Sequence, residues 1–236
     1  MKTEKSHCFE SKFLEENMMG PNCVKLLEDM TPHMALKPGM RVLDLGCGRG
    51  LTSLFLAREF GVTVYATDLW IPATENWERI RALGLEDRVI PIHADAHALP
   101  YAEDYFDAAV CVDAYLYFGT EEGYMDRCLA PLVKPGGDIA IAVPGVKTDL
   151  TALPPEMAGS VRAEDFMTFR SGRWWTERLA PSKRYAMERL WEFSGFDEAW
   201  ADWLRTDNPY AVSDRAMLRA NAGRFMNLIC MTGKRI

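Results

Sequence analysis

Three glycines at alternate positions, directly after an apolar strand-length segment, constrain the fold of this chain more than any other feature. Segment 41–45 reads RVLDL, and Gly46, Gly48 and Gly50 follow it. Glycine lets a backbone turn sharply and approach a ligand closely. A helix predicted from residue 51 would add unpaired N–H groups and a partial positive charge at its first turn. Segment 44–50 therefore predicts a strand–loop–helix unit that holds a ligand.

The chain up to residue 143 alternates apolar strand-length segments with helix-length segments. Strands are predicted at 41–45, 62–67, 88–93, 106–112 and 137–143. The helices between them are predicted at 51–60, 72–83 and 121–132. This alternation is typical of a doubly wound α/β fold, in which a mostly parallel sheet carries helices on both faces. Ligands of such sheets bind beyond the carboxyl ends of the strands.

The pattern changes after residue 143, where prolines and glycines mark a loop-rich stretch. A helix is predicted at 183–194, a sixth strand at 196–204 and a closing strand at 224–232, which completes a seven-stranded sheet. The chain is accordingly interpreted as one domain, 1–236. Its parts are a helical N-terminal cap at 1–36, a ligand-binding core at 37–143, an insertion at 144–182 and the completion of the sheet at 183–236.

Charge and cysteine content limit the partners and the compartment. Lys and Arg number 27 against 34 Asp and Glu, a formal net charge of −7, which disfavours a nucleic-acid partner. The six cysteines form no C-x-x-C pair, so we expect no metal site and a reducing compartment. No segment reaches the ~18 apolar residues of a membrane span. We expect a cytoplasmic protein, and homo-oligomerisation stays open.

The glycine spacing separates the cofactor classes. Dinucleotide-binding loops read G-x-G-x-x-G, whereas this loop reads G-x-G-x-G, and no G-K-[ST] of a nucleoside-triphosphate loop is present. Segment 42–50 closely resembles the first motif of class I S-adenosylmethionine-dependent methyltransferases. The resemblance extends over about 36–143, and it implies the Rossmann-like methyltransferase fold.

The resemblance also implies the residues that bind S-adenosylmethionine. The acidic residue at the end of the second strand, Asp68, would accept hydrogen bonds from the ribose hydroxyls. Asp95 would meet the adenine amino group. Asp44 and the glycine loop would meet the amino-acid end of the cofactor, and Asp113 would line its methionine part and the methyl path. The implied cofactor-binding residues are Asp44, Gly46, Cys47, Gly48, Gly50, Asp68, Leu69, Trp70, Asp95, Ala96 and Asp113.

The favoured activity is direct transfer of a methyl group to a small or medium-sized organic molecule. A methyltransferase acting on protein or nucleic acid, and a non-catalytic S-adenosylmethionine-binding regulatory protein, stay open as alternatives. The catalytic group is unknown, with Asp113, Tyr115 and Tyr117 as candidates. We expect segments 1–36 and 144–182 to cover the acceptor cavity together with the two tyrosines.

Overall fold

Seven strands form a single sheet in the order β3-β2-β1-β4-β5-β7-β6. The computed structural model describes residues 9–158, 166–220 and 222–236. The strands are β1 (Arg41–Leu45), β2 (Thr63–Asp68), β3 (Val89–His93), β4 (Phe106–Val112), β5 (Val133–Val146), β6 (Tyr185–Glu192) and β7 (Met226–Arg235). Strands β1 to β5 are mutually parallel, while β7 runs antiparallel to both β5 and β6. The predicted mostly parallel α/β sheet is therefore confirmed.

Seven α-helices connect and cover the strands in the described part of the chain. They are α1 (Ser11–Asn17), α2 (Cys23–Met30), α3 (Leu51–Phe60), α4 (Ala73–Ala82), α5 (Gly172–Leu179), α6 (Phe196–Leu204) and α7 (Pro209–Arg219). Among the described residues, no helix is long and apolar enough to cross a membrane.

The two faces of the sheet pack into two separate hydrophobic cores, because successive strand residues point to opposite faces. On β1, Val42 joins the core that contains α2, α3 and α6, whereas Leu43 and Leu45 join the other core. That second core contains α5 and the helical turns that follow β4. Both faces are thus covered, and the carboxyl ends of the parallel strands stay available for a ligand.

The predictions for 183–194 and 196–204 were wrong, because strand and helix are exchanged. Segment 183–194 contains β6, an edge strand that pairs only with β7 among the described residues, so its charged side chains can face solvent. Segment 196–204 is helix α6, in which Ala199, Trp200 and Trp203 are buried at helical spacing. Asp197 and Glu198 in its first turn suit the positive end of a helix.

The helix predicted at 121–132 is largely replaced by irregular turns. The structure contains a π-helical turn at Met125–Leu129, followed by a 3₁₀ turn at Ala130–Leu132. Gly123 has a φ of +71°, and Pro131 lacks the N–H that a continuous helix would need. The segment therefore forms two short turns whose apolar side chains belong to the second core.

The N-terminal region is helical, as predicted for 1–36 within its described part. Helix α2 begins at an Asn22 cap, whose side chain accepts hydrogen bonds from the backbone N–H groups of Val24 and Lys25. The backbone N–H of Asn22 donates to the carbonyl of Ala199, and its side-chain nitrogen donates to Asp202 Oδ2 at 2.8 Å. These two hydrogen bonds hold the N-terminal cap against α6.

Candidate active site

A cavity of about 290 Å³ opens at the carboxyl ends of β1, β2, β3 and β4. Its lining residues lie in five segments of the chain: 17–23, 45–52, 67–70, 94–97 and 112–118. Four of these segments follow parallel strands, and the fifth is the N-terminal cap. The topology of the sheet therefore gathers the loops that the sequence singled out into one site, as the rule for open α/β sheets requires.

The glycine loop forms one wall of the cavity and adopts left-handed backbone angles. Gly46, Gly48 and Gly50 have φ values of +72°, +53° and +83°. A Cβ atom at Gly46 would lie 2.2 Å from Ala114 Cβ, so glycine is required where the loops after β1 and β4 meet. The N–H groups of Gly46 and Cys47 donate to the carbonyl of Thr67, which fixes the loop to the end of β2.

The carboxylate of Asp68 is fixed at the cavity wall by backbone donors. Oδ2 accepts from the N–H of Gly48 at 2.8 Å, and Oδ1 accepts from those of Trp70 and Ile71 at 2.7 and 2.9 Å. A carboxylate offers about four acceptor positions, so one remains on Oδ2 for a ligand hydroxyl. The same side chain thus shapes the glycine loop and faces the cavity.

Asp44 is not among the residues that line the cavity. Its side chain is fully buried, and Oδ2 accepts from Thr52 Oγ1 and Ser53 Oγ at 2.6 Å each. Burial raises the pKa of Asp44 to about 6, although the two hydroxyl donors lower it. Asp44 shares the face of β1 with Val42, so its side chain points under α3 and ties β1 to the first turn of that helix.

The carboxyl group of Asp113 faces the cavity from the end of β4. Its φ of +60° is uncommon outside glycine, and such strained backbones cluster at functional sites. Burial, followed by repulsion from Asp214, raises the pKa of Asp113 to about 7. Asp214 lies on α7 and accepts a hydrogen bond from Trp203 Nε1 at 2.8 Å. Among the described residues, no cation pairs with either carboxylate.

The two tyrosine candidates differ in position. Tyr115 is 0% exposed and packs against Phe118, Tyr124 and Trp175, so the structure does not place it at the cavity. Tyr117 is 51% exposed and lines the cavity. Its ring meets that of Trp70, which is 63% exposed, with centroids 5.1 Å apart. The two rings form an aromatic edge of the cavity between the loops after β2 and β4.

Residues of the N-terminal cap line the cavity, whereas the described part of the insertion supplies no lining residue. Asn17, Met19, Gly20, Pro21 and Cys23 all line it. None of the described residues of 144–182 is among the lining residues. At the end of β5, the Val146 N–H donates to the carbonyl of Arg170. Residues 159–165 lie outside the described part of the chain.

Cys23 and His97 are among the lining residues that the sequence did not indicate. Burial, with the nearby charges of Asp113 and Asp44, raises the pKa of Cys23 to about 12, so it is a neutral thiol. His97 bonds to Asp95 in the loop after β3. The spacing Asp95-x-His97 is the only local signal that could have suggested this contact. In the described part of the chain, no three His, Cys, Asp or Glu side chains are placed to hold a metal ion.

Comparisons with known proteins agree with this architecture. Residues 42–137 match a family model described as a methyltransferase domain. The methyltransferase GfsG of Streptomyces halstedii is 36% identical over 119 residues, which cover 50% of this chain and 42% of GfsG. The chain thus spans less than half of that relative's length.

Solved structures share the fold at low sequence identity. Phosphoethanolamine N-methyltransferase 2 of Haemonchus contortus, solved with S-adenosyl-L-methionine, superposes with a TM-score of 0.76 at 18% identity, covering 99% of this chain and 58% of that one. The [4+2]-cyclase SpnF superposes with a TM-score of 0.70 at 18% identity, covering 89% and 80%. At such identities these likenesses establish the fold alone.

Proposed function

Because this chain carries a class I S-adenosylmethionine-dependent methyltransferase domain, we propose that it transfers a methyl group from S-adenosylmethionine to a small or medium-sized organic molecule. One observation carries the proposal. The cavity joins a left-handed glycine loop to carboxylates at the ends of β2 and β3, each retaining an oxygen position for a ligand donor. A ligand with ribose hydroxyls and an exocyclic amine matches that set of acceptors.

The residues of the cavity fit this cofactor. The cleft beside Gly46 and Gly48 would be narrowed by any side chain on the loop. We propose that Asp68 holds the ribose, that Asp95 and Ala96 meet the adenine and that Leu69 and Trp70 flank it. Gly46, Cys47, Gly48 and Gly50 would hold the amino-acid end. Asp44 supports this loop from below, without a contact of its own.

When bound, the cofactor supplies a methyl group that is already activated for transfer. The protein then has to align the acceptor, exclude water and take up a proton. A hydroxyl or amine acceptor loses a proton when it is methylated, and we propose that Asp113 accepts it. Support comes from its place in the cavity and from a pKa of about 7, which suits a base at neutral pH. Tyr117 is proposed to contact the acceptor, and buried Tyr115 is not.

The proposal covers the remaining features of the chain as well. We propose a single domain over 1–236, with the N-terminal cap as the cover of the acceptor site. GfsG is named a methyltransferase, and the net charge of −7 supports a small-molecule acceptor over a nucleic acid. The cytoplasm is the proposed compartment because the five described cysteines are unpaired.

Two measurements test the proposal. Calorimetry on purified protein, stripped of carried-over ligand, should show binding of S-adenosylmethionine and S-adenosylhomocysteine but not of NAD. Turnover is then followed as S-adenosylhomocysteine formed with panels of phenols, alcohols and amines, and with protein and nucleic acid as comparison acceptors. Absence of binding would contradict the proposed cofactor. Binding with turnover only on protein or nucleic acid, or without any turnover, would contradict the proposed acceptor class or the activity itself.

A further inference from the structure

The side chain of His97 lies between two carboxylates that belong to different loops. Its Nδ1 is 2.9 Å from Asp95 Oδ1, and its Nε2 is 2.9 Å from Glu121 Oε1. Asp95 and His97 follow β3, whereas Glu121 lies beyond Tyr117 and Phe118 in the segment after β4. His97 therefore connects two loops that form walls of the same cavity.

Both ring nitrogens of His97 must donate, because a carboxylate only accepts hydrogen bonds. A neutral imidazole has one donor and one acceptor nitrogen, so it can satisfy only one of these partners, whereas an imidazolium satisfies both. The bond to Asp95 raises the pKa of His97 above its ordinary value; partial burial opposes this, and Glu121 adds to it. The geometry and the direction of the pKa shift both favour the charged form of the ring.

The bridge also determines which oxygen of Asp95 is available. Oδ1 accepts from the backbone N–H of His97 at 2.8 Å and from its ring. In the part of the chain that the structure describes, no group donates to Oδ2. Asp95 and His97 both line the cavity, so Oδ2 is the acceptor that a bound ligand can use.

We propose that His97, as an imidazolium bridge between Asp95 and Glu121, positions Asp95 for the adenine amino group and makes cofactor affinity fall as pH rises. The inference rests on the proposed function, since it takes the adenine to lie at this end of the cavity. His97 is a positioning residue in this arrangement, because it acts through Asp95 and through the spacing of the two loops.

The direction of the pH effect follows from the raised pKa. The bridge is complete below the ordinary pKa of histidine, near 6.5, and is lost as pH rises through the higher pKa of the folded protein. Asp95 and Glu121 are the charged groups that face the ring. Tyr124 packs against it at 5.5 Å and stays neutral, because burial raises its pKa. Since exposed ion pairs contribute little, we expect affinity to fall about two- to fivefold.

The experiment measures the affinity for S-adenosylhomocysteine by calorimetry from about pH 6 to about pH 9, across the range in which histidine titrates. The wild type should weaken with rising pH, whereas H97Q should lose the part of that dependence that comes from the His97 ring and should bind near the weaker limit. E121Q should move the midpoint to lower pH. The control H93Q should keep the wild-type pH dependence, because His93 bonds to the carbonyl of Leu69 and not to a carboxylate.

A direct titration of the His97 ring by NMR supplies a readout that does not depend on cofactor affinity. We expect its pKa to lie above the ordinary value in the wild type and to drop in E121Q. A pH dependence that is unchanged in H97Q, or a His97 pKa at or below the ordinary value, would overturn the bridge. Failure of the wild type to bind S-adenosylhomocysteine at any pH would overturn the proposed function and this inference with it.

Discussion

Gly20 lies against Asp113 so closely that a Cβ atom at Gly20 would stand 2.1 Å from Asp113 Oδ2. The φ of Gly20 is not left-handed, so the backbone itself does not require glycine there. What requires it is the space taken by the carboxylate. Gly20 and Asp113 are therefore a pair of residues at which the N-terminal cap and the end of β4 fit together without space for a side chain on residue 20.

This match can be tested with a double-mutant cycle. G20A should destabilise the protein in the wild-type background, because the new methyl group displaces Asp113 or lifts the cap. In a D113G background the same change should cost little, since the colliding atoms are gone. Urea unfolding of the four proteins should give a coupling of about 1 kcal/mol or more. Additive effects would mean that the two residues do not meet in solution.

The raised pKa of Asp113 predicts how its removal changes the pH dependence of stability. The carboxyl group ionises near pH 4 when unfolded and near pH 7 when folded, so the unfolded state loses its proton first. Stability from this group is therefore lost progressively as pH rises from about 4 to about 7. D113N cannot ionise, so its unfolding free energy should rise relative to that of the wild type as pH increases through that window, and the difference should stay level above it. A difference that is the same at all pH values from about 4 to about 7 would contradict the raised pKa.

A side chain at position 48 should weaken cofactor binding, and this loss can be separated from the effect of backbone strain. G48V places its side chain toward Met19 Sδ, 2.9 Å from the new Cβ, and toward the cavity, so cofactor affinity should fall at least tenfold. Gly84 is the matched control, because its φ of +64° is similar and nothing lies within 4 Å of an added Cβ. G84V should lose similar stability and keep its affinity for S-adenosylhomocysteine.

Asp68 should contribute to both binding and stability. D68A removes a carboxylate that accepts three backbone N–H bonds, so we expect a lower melting temperature together with a loss of affinity of about tenfold or more. D87A, which truncates an exposed acid outside the cavity, provides the comparison. Equal affinity for S-adenosylhomocysteine in D68A and wild type would remove Asp68 from the site.

Because Asn22 does not line the cavity, its substitution should loosen the N-terminal cap without changing a lining residue. N22A loses a helix cap worth about 1 kcal/mol and the bond to Asp202. Hydrogen exchange should then be faster over 17–23, and S-adenosylhomocysteine should slow it less than in the wild type. N208A loses the cap of α7 but no bond to the cover, so it should leave exchange at 17–23 unchanged. Equal hydrogen exchange over 17–23 in N22A and N208A would mean that Asn22 does not hold the N-terminal cap in place.

The part of the site that follows β1 could be predicted because its signal is local. Glycine spacing and an apolar strand lie within ten residues of one another, and they specify a turn whatever surrounds them. The burial of Asp44 is also contained in that segment, since alternation along β1 places it with Val42 under α3. The strand period thus indicates on which face of β1 the side chain of Asp44 lies.

The features that sequence reasoning missed depend on partners far away in the chain. Strand β6 has no alternation that distinguishes it from a helix, and only pairing with β7 makes it a strand. The bridge at His97 needs Glu121, which is 24 residues distant and positioned by an irregular turn. Likewise, the described part of 144–182 is placed by contacts such as the hydrogen bond from Val146 N–H to the Arg170 carbonyl, so its loop-like composition could not indicate which side it would reach.

The position of β7 has a consequence for the order in which the chain is made. The seventh strand in chain order lies inside the sheet, between β5 and β6. Until residues 226–235 emerge, β5 keeps an unpaired edge at Asp138–Val146, and β6 has no neighbour to join among the described strands. An unpaired strand edge is a template for association with other chains. Until β7 emerges, the nascent chain is thus exposed to aggregation, although the strands that line the cavity have already been made.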